Sequence, residues 1–199
     1  MLQYIVLLGA VVFMFGIFFY IKATLRGETK PNKVTWLMWA IAPLIASAAA
    51  FSDGVRWAVL PVFIVWLGPL LVFAISFVNR KSYWKLEKFD YICGACSLLA
   101  LLLWRITKDP IIAIWFAIAS DGSAAIPTII KSWRYPDTES VEVYITWLFN
   151  ALTSFFALKT FGTSELAFPI YLVLVDLFLI LAVYRGRWRK NHEAISVKK

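Results

Sequence analysis

The sequence predicts an all-α integral membrane protein of seven transmembrane helices. They form two three-helix units in one orientation, a 3+1+3 parallel repeat, with the N-terminus outside and the C-terminus inside. Three observations predict this. The chain of 199 residues is 61% hydrophobic and 17% aromatic, more apolar surface than a soluble domain of that size can hide from water. Its apolar residues fall in long runs, each near the span of a bilayer core. Two stretches 111 positions apart nearly coincide, because Thr35, Trp36, Leu37, Ala40 and Ala46 return as Thr146, Trp147, Leu148, Ala151 and Ala157.

The apolar runs place helices at about 2–22, 34–52, 57–79, 89–106, 110–131, 141–159 and 166–185. The first begins Met1, Leu2, Gln3, Tyr4, without the charged segment or the small-residue cleavage site of a signal peptide, so it is expected to stay as a membrane helix. The fourth is short: its uncharged stretch runs only from Tyr91 to Trp104, and it crosses if Lys88 and Arg105 extend to the two interfaces. Charge decides the matter. With seven crossings, sixteen of the twenty Lys and Arg residues lie inside, leaving only Arg56, Arg105, Lys108 and Lys159 outside. Without the fourth crossing the split falls to 11 against 9. The net charge of +8 therefore follows topology. No basic stripe interleaved with aromatics points to nucleic acid.

The organisation expected is a first unit at 1–86, a linker helix at 87–108, a second unit at 109–186 and a basic cytoplasmic tail at 187–199. A further match supports the repeat: Leu60, Pro61 and Val65 parallel Phe168, Pro169 and Val173, at an offset of 108.

Two carboxyls stand near the middle of helices, Asp121 in the fifth and Asp176 in the seventh. A charge at mid-bilayer costs roughly 2.5–3.5 kcal/mol on insertion scales, so each must face the bundle or a wet cavity. One reading is a proton-coupling group or a counter-charge for a cationic solute; the plainer one is a hydrogen-bonded tie between helices. Asp121 has Ser120, Gly122 and Ser123 beside it, small and polar surroundings that favour the first reading. Asp176 falls opposite Gly68 in the repeat and Asp121 opposite Val12, so the two units are chemically unequal.

A second constellation is Trp36, Trp39, Trp147 and Asn150. Trp36 and Trp39 are three apart, as are Trp147 and Asn150, so each pair shares one helix face. Indole faces can stack on sugar rings or attract cations, and a buried amide both donates and accepts. An interfacial belt is an equal reading for Trp36 and Trp147, which lie near the cytoplasmic helix ends. Thr153 and Ser154 extend the polar face of the sixth helix, with bonds to their own helix carbonyls as the default.

Cys93 and Cys96 form a Cys-x-x-Cys, but tetrahedral zinc needs four ligands and the sole histidine, His192, lies in the tail. The pair reads as a small-residue packing patch. No cofactor or metal is expected. A retinal site would need a mid-membrane lysine in the last helix, which is absent, and no hydrolase, zincin, P-loop or dinucleotide motif occurs, so an enzyme is not expected.

The stretch from Ile126 through Pro127, Thr128, Lys131, Ser132, Arg134 and Asp137 to Ser140 resembles the PQ-loop signature, a helix-bending proline followed by a basic, hydroxyl-rich cytoplasmic turn. With the 3+1+3 layout, the chain is similar over nearly its whole length to the SWEET and PQ-loop group of transporters. Thr128 stands where the signature has Gln, Phe18 where the first helix would carry a proline, and Ser154 opposite Pro43. The resemblance implies hinges at Pro43 and Pro127.

It also implies a carrier of a small polar solute, such as a sugar or an amino-acid-like or vitamin-like compound. Such a carrier alternates access between the two units, and Trp36, Trp39, Trp147, Asn150, Asp121 and Asp176 are its candidate substrate residues. In a proton-coupled version, similar to lysosomal PQ-loop transporters, Asp121 would be the coupling group. The rival expectation is a receptor or assembly factor that uses the same fold without transport. The partners expected are the lipid bilayer and the solute, with a homo-oligomer compatible with the composition and a bacterial inner membrane as the location.

Overall fold

The computed structural model describes residues 2–52, 60–107, 109–158 and 162–196. Among them the chain forms seven α-helices and no strand: α1 Leu2–Arg26, α2 Lys33–Ser52, α3 Leu60–Ile75, α4 Lys88–Ile106, α5 Pro110–Arg134, α6 Val141–Ser154 and α7 Thr163–Ser196. Asp53, Arg56, Lys108, Lys159, Lys198 and Lys199, which enter the reading of topology and charge, lie outside the described residues.

Local chemistry fixes the helix ends. Gly27, at φ 81°, closes α1 with a left-handed residue that only glycine takes up freely. The buried Asn32 side chain accepts from the backbone N–H groups of Val34 (3.1 Å) and Thr35 (3.3 Å) and so caps α2. It also donates to Asp90 Oδ1 (3.0 Å), while the Asp90 and Glu87 side chains close a reciprocal capping box on α4. Asp109 accepts from Ile111 and Ile112 ahead of Pro110, whose missing N–H costs nothing in the first turn. These caps make α4 a complete 19-residue helix despite its short uncharged centre.

At the other end of the chain, α7 does not stop near 185 but carries the tail residues on as helix to Ser196. No proline interrupts it there, so nothing in the backbone ends the helix at 185.

Successive helices alternate in direction. α1 and α6 run antiparallel, with Gly9 against Thr153 and Gly16 against Thr146. α5 and α7 run parallel, Asp121 meeting Tyr171 and Trp133 stacking on Phe178. α2 crosses α5 in the opposite sense, Thr35 meeting Thr128.

The connections after α1, α3 and α5 therefore gather at one end of the bundle. There Lys30 N–H donates to the Thr138 carbonyl (3.0 Å), Asn79 to the Leu25 carbonyl (2.8 Å), and Pro136 rests on Gly186 of α7. This basic end holds Lys33 over the Phe77 ring, Lys131 over Trp84 and Arg185 over Trp133.

Side by side, the helices close a ring in the order α1, α3, α2, α5, α7, α6, and back to α1. The third helix of each triple lies between the other two. Exchanging α1 for α5, α2 for α6 and α3 for α7 maps the ring onto itself. α4 stands outside the ring against α5 and α2, where Gly94 admits Val34 and Ser97 bonds Ser120.

The outer surface is apolar on many faces, with Phe15, Phe18, Leu99, Leu102, Leu174 and Leu181 all exposed. Four helices are long and apolar enough to cross a membrane: Ile5–Arg26, Lys88–Ile106, Ile111–Arg134 and Glu165–Gly186. The apolar described parts of α2, α3 and α6 are shorter. These are the features of a membrane-embedded protein.

Candidate solute-binding site

Inside the ring lies a cavity of about 120 Å³ to which all six ring helices contribute and α4 does not. Its polar groups are Asp121 from α5, Asp176 from α7 and Asn150 from α6. Its aromatic walls are Phe13, Trp39, Trp147 and Phe168, and its remaining lining is aliphatic or proline, including Pro43 and Pro69.

Helix periodicity explains the polar cluster. Trp147, Asn150 and Ala151 sit on one face of α6 at spacings of three and four. Leu172, Val175 and Asp176 do the same on α7. Trp39 and Asn150, equivalent positions in the sequence repeat, thus meet the same space from opposite units.

The two carboxyls are held differently. Asp121 Oδ2 accepts from Tyr171 Oη at 2.7 Å, and Trp39 is its second hydrogen-bonding neighbour. These two neighbours come one from each triple of the ring. Asp176, only 5% exposed, has no hydrogen-bond donor among the described residues.

The aromatic wall is one connected cluster. Trp147 stacks on Phe13 with ring centroids 5.1 Å apart and meets Trp36 and Trp39 edge-on at 5.4 and 5.1 Å. The Trp147 indole N–H is buried without a partner.

Toward the basic end the cavity is closed in layers. First comes Trp36, fully buried and tilted against Tyr20 at 4.7 Å. Beyond it Thr128 donates to Thr35 (2.9 Å), joining α5 to α2. Last is a buried ion pair of Lys131 with Glu139, in which Glu139 also accepts from Tyr20 (3.0 Å) and Tyr144 (2.8 Å), and Lys131 donates to the Lys30 carbonyl. This network joins α1, α5, α6 and two connecting loops.

Of the residues singled out in the sequence, Trp39, Trp147, Asn150, Asp121, Asp176 and Pro43 border one cavity. Trp36 stands behind it, in the closing layer. Pro127 is elsewhere, lining a separate cleft at the basic end with Trp84, Glu87 and Lys131, and α5 runs through it as one helix.

Thr153 and Ser154 bond their own helix, to the carbonyls of Asn150 (2.8 Å) and Ala151 (2.6 Å). Cys93 and Cys96 are free thiols, and no cluster of metal-ligating side chains occurs among the described residues.

Sequence reasoning missed Tyr171, Phe13, Pro69 and the Lys131–Glu139 pair. Tyr171 carried no spacing signal, because a spacing of five places it off the face that Asp176 shares with Leu172. The pairing of Lys131 with Glu139 depends on how the α5–α6 loop folds back, which no spacing reveals.

Comparison with family models, curated proteins and solved structures gives no match to this chain. The reading of the cavity rests on its own chemistry.

Proposed function

We propose that the protein is a membrane carrier for a small polar solute. The observation that carries this is an aromatic-walled cavity holding three polar side chains, built jointly by two like-ordered helix triples and shut in layers at one end. The ring order favours a parallel repeat related by a two-fold axis along the membrane normal, as in SWEET-like and PQ-loop transporters.

In this reading the chain crosses the membrane seven times, N-terminus outside, with the basic end in the cytoplasm of a bacterium. The cavity is closed toward that side by Trp36, the Thr35–Thr128 bond and the Lys131–Glu139 pair. Rocking one triple against the other would part these layers and expose the same cavity inward. Pro43 and Pro69 border the cavity on α2 and α3, where a missing backbone donor loosens each helix. Asp121 has a neighbour from each triple beside it and is the proton-coupling group of this scheme.

The test is solute counterflow in vesicles containing the purified full chain. Accumulation of labelled solute that needs the same solute on the far side supports a carrier. Binding of solute without counterflow, together with capture of one protein partner, supports the receptor or assembly reading instead.

A further inference from the structure

We infer that the cavity takes a small organic cation of the methylated-ammonium class. This deepens the carrier reading and rests on it for the site's role, though the binding argument stands on the cavity alone.

Among the described residues the cavity wall carries two carboxyls, Asp121 and Asp176, and no Lys, Arg or His. The nearest buried cation, Lys131, is bound to Glu139 in the closing layer and does not border the cavity. A sugar would need many donors and acceptors around its hydroxyls, but among the described residues the wall offers only the two carboxyls, one amide and the Trp indoles. A zwitterionic amino acid would place its own carboxylate where no cation receives it, a costly arrangement away from water.

Asp176 is the second observation. It is buried and lines the cavity, yet no donor reaches it among the described residues. Asp121 differs, because Tyr171 and Trp39 already occupy it. A buried carboxylate requires a compensating partner. The protein supplies one to Asp121 and leaves the compensation of Asp176 to whatever enters.

The remaining walls suit a weakly hydrated cation. Trp39, Trp147, Phe13 and Phe168 border the space, and indole and phenyl rings attract a methylated ammonium through their negative faces. A bare primary ammonium wants three acceptors around one nitrogen, and this wall offers acceptors only at its carboxyls and Asn150, the rest being aromatic or aliphatic. Methylated nitrogen needs none.

The experiment compares choline with its neutral carbon isostere, dimethylbutanol, on the full chain in detergent, by calorimetry and thermal shift. Choline is expected to bind at least about tenfold more tightly than the isostere. Asp176→Asn is expected to weaken choline binding by at least about thirtyfold, and Asp176→Glu to keep the preference for the cation. If Asp176→Asn does not fold, the comparison on the unaltered protein decides alone.

Equal binding of choline and dimethylbutanol, binding of neither, or choline binding unchanged in a folded Asp176→Asn overturns the inference. Failure of the carrier reading looks different: choline binds with the stated preference but shows no counterflow. A neutral sugar that is bound and carried overturns the cation class and leaves the carrier standing.

Discussion

Tyr171 donates to Asp121 at 2.7 Å across the gap between α5 and α7, while Asp176, five residues further along the same helix, has no such donor. The pair is thus one braced carboxyl beside one bare carboxyl. Tyr171→Phe removes the brace with little change of shape. A hydrogen bond to a charged group contributes about 1.5–3 kcal/mol, so the variant should unfold at lower temperature in detergent. Asp121→Asn should lower the midpoint less when made in the Tyr171→Phe background than alone, because the shared bond is already gone. Full additivity of the two changes would show that the bond contributes nothing.

The Lys131–Glu139 pair is 1% and 0% exposed, so neither charge can turn to water if the other is lost. Removing one partner of such a pair typically costs about 3–5 kcal/mol. Lys131→Met and Glu139→Gln should each destabilise strongly, Glu139→Gln also weakening what Tyr20 and Tyr144 donate to. The double variant should recover a large part of the loss. Thermal unfolding of the four proteins checks this, and a double variant as unstable as the sum of the two would contradict a coupled pair.

The extent of α2, α4 and α5 was legible because apolar length and charged flanks are local properties. The expected 34–52, 89–106 and 110–131 correspond to α2, α4 and α5 within a few residues. Where α7 ends was not legible, since a basic stretch without proline reads equally as tail or as helix. In the site, Trp39 and Asn150 could be found from the repeat, and Asp121 and Asp176 from the cost of charge in lipid. Trp36 reads the same as Trp147 in sequence, yet it sits about one turn along α2 from Trp39 and lies behind the cavity that Trp147 borders. Phe13 and Pro69 carried no polar signal at all.

Close approach of α1 to α6 depends on Gly9 and Gly16. A Cβ on Gly16 would overlap the Thr146 side chain, and one on Gly9 would overlap Thr153. Gly122, in contrast, has only Tyr171 Oη at 3.4 Å, which can give way. Gly16→Ala should therefore destabilise by about 1–3 kcal/mol through overpacking, and Gly122→Ala should be nearly neutral. Melting curves of both variants decide. Equal effects would mean that the α1–α6 seam is looser than its geometry.

Topology can be read with single cysteines in a background where Cys93 and Cys96 are replaced by Ser. Lys85 is exposed at the basic end, and Gly162, exposed just before α7, is at the opposite one. In intact cells an impermeant thiol reagent should label Gly162→Cys and leave Lys85→Cys unlabelled until the membrane is opened. Labelling of Lys85→Cys from outside would reverse the orientation and assign the closed layers to the outer face.

Proton coupling makes the sharpest demand on the two carboxyls. The groups facing Asp121 are Tyr171 and Asp176 of α7 and Trp39 and Pro43 of α2; α4, on its far side, presents Ser97 to Ser120. Asp121 thus has Tyr171 of one triple and Trp39 of the other beside it, and a movement between the triples would strip it of the Trp39 contact. A carboxyl that loses a donor to its charged form holds a proton more readily, so protonation and movement become linked at that residue. Asp176 has no donor to lose. Asp121→Asn should therefore flatten the pH dependence of transport while binding persists, and Asp176→Asn should reduce binding across the pH range. Initial rates and binding in vesicles, each taken across pH for both variants, separate the two roles. An Asp121→Asn protein with an unaltered pH profile would leave that carboxyl as a tie between α5 and α7.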